Sequence, residues 1–258
     1  MLLDTEQKSG FQKKMHTINN FVSVDCVIFG FDFTQLNVLL VDRVLFDEVT
    51  GEEIFNDLTL TGNHIFEEEE LDDAAARILY ELTGLENIYL DQFYVFGSPN
   101  RITRENDKKW LIANGRDPEG RIFTVGYYSL LATDKVTLQW KGRNVRWVPV
   151  DEITDLAFDH MDILQKALVA LRKKLLNEPI GFELLPDKFT LTQLQRLYEV
   201  ILGVQLDKRN FRKKISRMKY LIPLEEKQKG VAHKPARLYV FDRHIYEKTR
   251  KELLDFAI

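Results

Sequence analysis

The stretch Gly62–Leu85, GNHIFEEEELDDAAARILYELTGL, decides how this chain is read. From Asp73 to Thr83 the apolar residues Ala74, Ile78, Leu79 and Leu82 recur at helical spacing, which predicts an amphipathic helix. Gly84 supplies its terminator. The acidic run Glu67–Glu70 precedes that helix, where negative charge suits the N-terminal dipole and reads first as a solvated loop. Upstream, Asn63 reads either as a turn residue that tolerates positive φ or as a polar contact to a ligand.

Around this stretch lies a chain of 258 residues, enough for one large domain or two modest ones. Its 45% hydrophobic content is ordinary for a globular protein with a sizeable core. The single cysteine, Cys26, has no partner for an internal disulfide, and its alternation with Val22, Val24 and Ile28 reads as a small buried apolar residue. No apolar run approaches the ~20 residues that span a bilayer, and the first twenty residues hold no signal-length apolar core. A soluble cytoplasmic protein with no membrane partner is expected. The net charge of −4 hides an asymmetry: Gly203–Arg237 carries eleven Lys plus Arg against three Asp plus Glu, a balance of +8. The rest of the chain carries −12, so the basic segment points to an anionic partner.

Residues 1–18 read as a mobile or helical lead-in. Phe21–Phe29 and Leu36–Val41 are strand-like runs joined by a turn at Asp32–Gln35, which predicts a hairpin. Asp25 is the one charged residue of the first run, either on a polar sheet face or in contact with a ligand. Further strands are expected at Ile88–Phe96, Phe123–Leu131, Val136–Gln139 and Asn144–Pro149, and a helix at Phe158–Leu176. The long polar connection Asn100–Gly120 is placed to frame a ligand entrance. Two prolines and a glycine mark Asn177–Pro186 as a linker, which divides the chain into domains at 1–178 and 179–258.

Beyond the linker the pattern changes to short helices. Thr190 with Gln193 fits a capping box, Leu194, Leu197, Tyr198 and Ile201 form a buried stripe, and Gly203 ends the helix. Asp207 caps a second helix expected to run to about Met218, with Phe211, Ile215 and Met218 on one face. Tyr220–Leu224 and Ala236–Phe241 read as strands around a basic loop. Two helices and a hairpin describe a winged helix-turn-helix, whose second helix enters the major groove. Lys208, Arg209, Asn210, Arg212, Lys213 and Arg217 are its candidate DNA contacts, with Lys227, Lys229, Lys234 and Arg237 on the wing. Arg and Asn suit guanine and adenine edges, and Lys suits phosphate. A solvated basic helix face is the blander alternative.

The opening stretch also resembles the Nudix signature, which runs Gly, five residues, Glu, seven residues, then Arg-Glu-apolar-X-Glu-Glu-X-Gly-apolar. Aligned on Gly84 and Leu85, the chain keeps Glu69, Arg77, Leu79 and Glu81. It places Ile78 and Leu82 where two metal-binding glutamates belong. Nudix hydrolysis needs divalent cations to offset charge on the phosphates, and hard cations need several oxygen ligands. Ile78 and Leu82 offer none, so the resemblance implies a domain that binds without cleaving, with no catalytic residue, metal or cofactor.

Taken whole, the chain is similar to the Nudix-related transcriptional regulators over about residues 20–245. The run LLPDKFTLTQLQRLYEVILGVQLDKRNFRKKI followed by KPARLYVF carries most of that likeness, with VDCVIFGFDFTQLNVLLVDR and the FDH of Phe158–His160. The resemblance implies an α/β/α sandwich with a mixed sheet, followed by a winged helix-turn-helix. It further implies a homodimer on a palindromic operator, released by a small molecule held in the Nudix-like domain. One branch of the family responds to ADP-ribose and controls NAD biosynthesis; another responds to sugars, notably L-arabinose. The ADP-ribose branch has Leu-Pro-Gly-Gly before the box, whereas this chain has Leu60-Thr61-Gly62-Asn63. That difference favours a neutral sugar such as L-arabinose, with ADP-ribose as the alternative and a Nudix hydrolase as the third reading. Asp25, Arg43, Thr61, Asn63 and His64 are the expected effector contacts.

Overall fold

The computed structural model describes residues 16–136, 138, 144–232 and 234–255. Strand β1 (Ile18–Phe31) turns into β2 (Leu36–Phe46) at Asp32, whose Oδ1 accepts the Thr34 and Gln35 N–H groups at 2.8 and 2.9 Å. Strands β3 (Glu53–Thr59) and β4 (Thr61–Phe66) follow, then helix α1 (Leu71–Thr83), β5 (Asp91–Phe96), helix α2 (Glu105–Ala113), β6 (Phe123–Ala132), β7 (Val145–Pro149) and helix α3 (His160–Asn177). The strands join in one mixed sheet in the order β3-β2-β1-β6-β5, with β4 also on β1 and β7 also on β2. β1 is its axis: antiparallel to β2 and β4, parallel to β6.

Alternation along β1 sorts its side chains between two cores. Val27, Phe29 and Phe31 join the buried cluster that contains Ile163, Leu164, Ala167 and Leu171 of α3. Val24, Cys26 and Ile28 join the opposite cluster with Ala74, Ala75, Ile78 and Leu79 of α1. The sheet therefore lies between α1 and α3, the α/β/α sandwich that the resemblance implied. Cys26 is fully buried, and burial pushes its thiol pKa well up, so it packs as an inert small side chain.

The winged helix follows as read. Helix α4 (Leu191–Leu202) starts from a reciprocal capping box between Thr190 and Gln193 and ends at Gly203, whose φ of 69° needs a residue without Cβ. Helix α5 (Lys208–Ile215) is capped by Asp207, and strands β8 (Leu221–Lys227) and β9 (Arg237–Phe241) form the wing, before helix α6 (Arg243–Asp255). α5 is shorter than expected, because Ser216 caps it and Arg217 falls in the following turn.

Four elements escaped the sequence reading: β3, β4, α2 and α6. β3 buries only Phe55, and β4 carries Gly62, Asn63 and His64 instead of alternating β-branched residues. α2 is nine residues long and buries only Asp107 and Leu111, too few for a visible apolar period. The lead-in at 1–15 lies outside the described residues, as does part of the Val136–Gln139 strand candidate.

The segment read as a linker is packed. Phe182, Leu184 and Leu185 are buried in the same cluster that runs from Leu175 of α3 to Leu194 and Leu197 of α4. Arg172 of α3 donates to the Ile201 carbonyl at 3.0 Å. Arg196 of α4 donates to the Phe33 and Thr34 carbonyls of the β1–β2 turn at 3.0 and 2.6 Å. Among the described residues no helix is long and apolar enough to cross a membrane.

Ile78 is fully buried against the sheet. Ile78→Ala should therefore lower unfolding free energy by about 2–5 kcal/mol, as large-to-small core changes do. Urea denaturation checks this, and an unchanged midpoint would show that α1 is not packed as described.

Candidate functional site

Between β1, β4, α2 and the start of α3 lies a cavity of about 110 Å³. Asp25 stands at its centre because Gly62, its cross-strand partner on β4, leaves the space: a Cβ on Gly62 would come within 1.8 Å of Asp25 Oδ1. A guanidinium and an imidazole bracket Asp25. Arg101 Nη2 lies 3.9 Å from Asp25 Oδ2, and His160 Nε2 lies 3.5 Å from Oδ1. Arg101 is held by a bidentate bond to Asp159, at 2.6 and 2.7 Å, and donates to Thr124 Oγ1 at 2.6 Å. Thr124 in turn bonds Ser23, another residue of the wall.

The tautomer of His160 follows from its partners. The Leu60 N–H points at Nδ1 from 3.1 Å and can only donate, so Nδ1 is the bare nitrogen and Nε2 carries the hydrogen that faces Asp25. Burial lowers the His160 pKa, against the pull of Asp25 and Asp159, which keeps the ring neutral.

Arg43 forms the floor. Its side chain is 2% exposed and bonds Asp57 twice, at 2.7 and 2.6 Å, and Asp107 at 2.7 Å. The rings of Phe158, Phe55 and Trp110 lie 4.7, 5.0 and 5.6 Å from its guanidinium carbon. Its Nη1 is buried with no hydrogen-bond partner, leaving one donor for whatever enters the cavity. Phe158 holds a positive φ of 54° and gives its N–H to Asp107 Oδ2 at 3.1 Å. Strain of this kind concentrates at binding sites.

Four of the five sequence-predicted contacts, Asp25, Arg43, Asn63 and His64, line this cavity. Thr61 does not. It pairs with Cys26 across β1 and β4, so it faces α1, one residue out of phase with Asp25 and Gly62. Its Oγ1 is buried there without a partner. The sequence reading missed Arg101, Trp110, Asp159 and His160. Only the FDH likeness and the polar 100–120 connection hinted at them.

The retained motif residues do different work. Arg77 bonds Glu69 at 2.6 and 2.7 Å and Glu81 at 3.0 Å, with its guanidinium 4.0 Å from the Phe66 ring. They pin β4 to α1. Ile78 and Leu82 pack into the core beneath, and among the described residues no cluster of three or more His, Cys, Asp or Glu is disposed to hold a metal.

At the other end of the molecule, Phe211 and Ile215 anchor α5 while Lys208, Arg209, Asn210, Arg212 and Lys213 are exposed together, as is Arg217 in the turn. Lys214 joins that exposed set and had not been singled out. Lys227 ends β8, and Lys229 and Lys234 are exposed on the loop. Arg237 turns back into the wing, bonding the Leu224 carbonyl and Glu225 Oε1 at 2.7 Å each.

The fold and these two sites define a Nudix-type pocket joined to a winged helix with a basic outer helix. Residues 19–167 match the NUDIX domain family and residues 181–241 the NrtR DNA-binding winged helix domain. The chain belongs to the NrtR family of Nudix-related regulators. It is 30% identical, over 97% of its length and 91% of the relative, to the "ADPR responsive transcriptional repressor NtrR" of Acinetobacter baylyi. It also resembles the crystal structure of Shewanella oneidensis NrtR complexed with a 27mer DNA, at 27% identity and a TM-score of 0.60, covering 86% of this chain and 93% of that one. The same protein without DNA gives 28% identity and a TM-score of 0.61, covering 86% and 94%. These relatives bear out the family and give no support to its arabinose branch: neither the Acinetobacter baylyi nor the Shewanella oneidensis protein is named as an arabinose regulator.

Two outcomes follow. Thr61→Val removes an orphaned hydroxyl on the α1 side, so stability should stay level or rise by up to about 1 kcal/mol. Ligand affinity, followed by calorimetry, should not change; a large loss would put Thr61 back in the pocket. The second concerns pH. His64 is pushed down to about 4, first by burial and then by Arg116. Between its ordinary value and 4 the unfolded chain binds more protons than the folded one, so stability rises with pH across that window. Urea midpoints should fall from pH 7 to pH 5, and less so in His64→Gln; equal slopes would remove His64 as a contributor.

Proposed function

We propose that this chain is a DNA-binding transcriptional repressor, without hydrolase activity, whose operator affinity is lowered by ADP-ribose. The observation that carries this is the likeness over nearly the whole chain to a repressor named for that response, joined to a Nudix-type pocket without a carboxylate cage. The working parts divide at the boundary read from sequence, with the effector pocket in residues 1–178 and the DNA-binding unit in 179–258. Two copies hold a palindromic operator, with recognition helices about 34 Å apart or a multiple of it.

Arg209, Asn210, Arg212 and Arg217 are assigned to base edges and Lys208, Lys213, Lys227, Lys229 and Lys234 to phosphate. Arg237, held inside the wing, is assigned to shaping that loop. Asp25, Arg43, Asn63, His64, Arg101 and His160 are assigned to the effector. The Leu60–Asn63 segment, read first as favouring a neutral sugar, leads from Leu60 into β4, whose Gly62 makes room for Asp25. It gives no ground for excluding a nucleotide.

Fluorescence anisotropy on DNA upstream of the neighbouring genes tests this, without ligand and with ADP-ribose or L-arabinose. Release by ADP-ribose alone is expected. Release by L-arabinose alone would return the protein to the sugar-responsive reading, and steady phosphate or AMP production with Mg²⁺ would restore the hydrolase reading. Arg209→Ala and Arg217→Ala should each weaken operator binding roughly tenfold or more, on the 1–3 kcal/mol scale of a base contact. Unchanged affinity in both would remove α5 and its turn from the interface.

A further inference from the structure

The two strands that carry the cavity end in a turn held by the DNA-binding unit. β1 holds Asp25 and β2 holds Arg43, and the strands meet at Asp32–Gln35. The end of β1 at Phe31 lies about 20 Å along the strand from Asp25, at the rise of an extended chain. Over that length β1 pairs with β6 without a break, so the strand transmits a displacement instead of absorbing it. The turn itself is strained. Phe33 holds a φ of 67°, which residues other than glycine rarely adopt. Such a conformation persists where its surroundings hold it. Phe33 packs against the cluster that includes Leu194 and Leu197 of α4, with its ring 4.8 Å from that of Phe31.

Arg196 of α4 completes the hold. Its Nε donates to the Phe33 carbonyl and its Nη2 to the Thr34 carbonyl, two charge-assisted bonds from one planar fork. Among the described residues no backbone N–H bonds either carbonyl. The carboxylate three residues further along α4 is engaged elsewhere: Glu199 accepts the Gln195 amide at 2.9 Å and the Leu206 N–H at 3.0 Å. Gln195 also donates to the Leu206 carbonyl at 2.9 Å. Leu206 immediately precedes Asp207, the cap of α5. Gln195 and Arg196 are neighbours in sequence, so a single turn of α4 grips the β1–β2 turn with one side chain and the entry to α5 with the next.

We propose that Arg196 couples the effector pocket to the recognition helix through the β1–β2 turn. A displacement of Asp25 or Arg43 runs along the hairpin, is taken up by Arg196, and reaches the cap of α5 through Gln195, Glu199 and Leu206. Arg196 is a positioning residue: it lines neither the cavity nor α5. This rests on the effector reading above and adds how the response is carried to the DNA-binding unit.

The test is the ratio of operator affinities without and with saturating ADP-ribose, measured by anisotropy on the full chain as the natural sequence, Arg196→Ala and Arg196→Lys. Arg196 is exposed on a helix, where alanine is well tolerated, so both variants should fold, which circular dichroism verifies. The ratio should shrink by about threefold or more in Arg196→Ala, within the range by which single residues alter coupling. Arg196→Lys should recover part of it, because an ammonium keeps the charge and lacks the fork. ADP-ribose affinity without DNA, from calorimetry, should be the same in all three proteins. Linkage requires the matching loss in the factor by which operator DNA changes ADP-ribose affinity. A lower urea midpoint with an unchanged ratio would make Arg196 a merely structural tie, overturning the coupling role and sparing the effector reading. Loss of ADP-ribose affinity in DNA-free Arg196→Ala would overturn it too, by making Arg196 a support of the pocket. A ratio of one in the natural sequence would overturn both readings.

Discussion

The structure depends on a charge in the wrong place. Arg43 is a fully buried cation on a central strand, and burying it would be prohibitive unless it were paired and bonded. Asp57 of β3 and Asp107 of α2 meet that need, and Phe55, Trp110 and Phe158 close around the guanidinium. Asp107 then passes the connection on to the Phe158 N–H at the start of α3. One side chain thus fixes β2, β3, α2 and the α3 entry relative to each other. Breaking such a buried pair commonly costs about 3–5 kcal/mol, because the remaining charge is left stranded. Its value to the molecule is geometric: it holds the cavity floor rigid and keeps one donor unspent.

The decayed motif obeys the same logic from the other side of the sheet. Once Ile and Leu occupy two carboxylate positions, the helix gains apolar area toward the sheet and loses hard ligands. The residues that survive, Glu69, Arg77 and Glu81, survive in contact with each other, as a bonded cluster over Phe66. Their retention needs no hydrolytic chemistry to explain it. A motif scan that counts matches would score them as evidence of activity, whereas their geometry makes them struts.

How much of this was legible follows from how far apart the partners lie. α1, α3, α4 and the caps at Thr190 and Asp207 were readable because each is written within a few turns of helix. The winged helix was likewise local, down to the exposed basic set on α5. The pocket was only half readable. Asp25 stood out as the one charged residue of a strand-like run, whereas Arg43, Asn63 and His64 came with the family resemblance. Arg101 is bound to Asp159 and Arg43 to Asp107 across 58 and 64 residues, and no periodicity records such pairs. Thr61 shows the complementary failure. A single residue of strand phase decides which face a side chain takes, and that phase is set by the pairing of β4 with β1, not by composition.

Register and core together constrain how the two ends can communicate. The stretch whose prolines suggested a slack linker is instead buried, so the winged helix is not tethered loosely to the sandwich. α3 touches both. Its first residue, His160, faces Asp25 in the pocket, and its later residues Leu171, Arg172 and Leu175 meet α4 through apolar packing and the Ile201 carbonyl. A coupling between effector and operator requires two states that each ligand prefers differently. The packing of α3 offers a route for those states to differ, in how it seats against the sheet or against α4. Close-packed interfaces change by discrete repacking more readily than by continuous bending. The neutral His160, gripped at Nδ1 by Leu60 and facing a carboxylate at Nε2, sits at the point where a ligand hydroxyl would compete for that carboxylate. The helix that would have to move is therefore the one whose first turn lines the pocket.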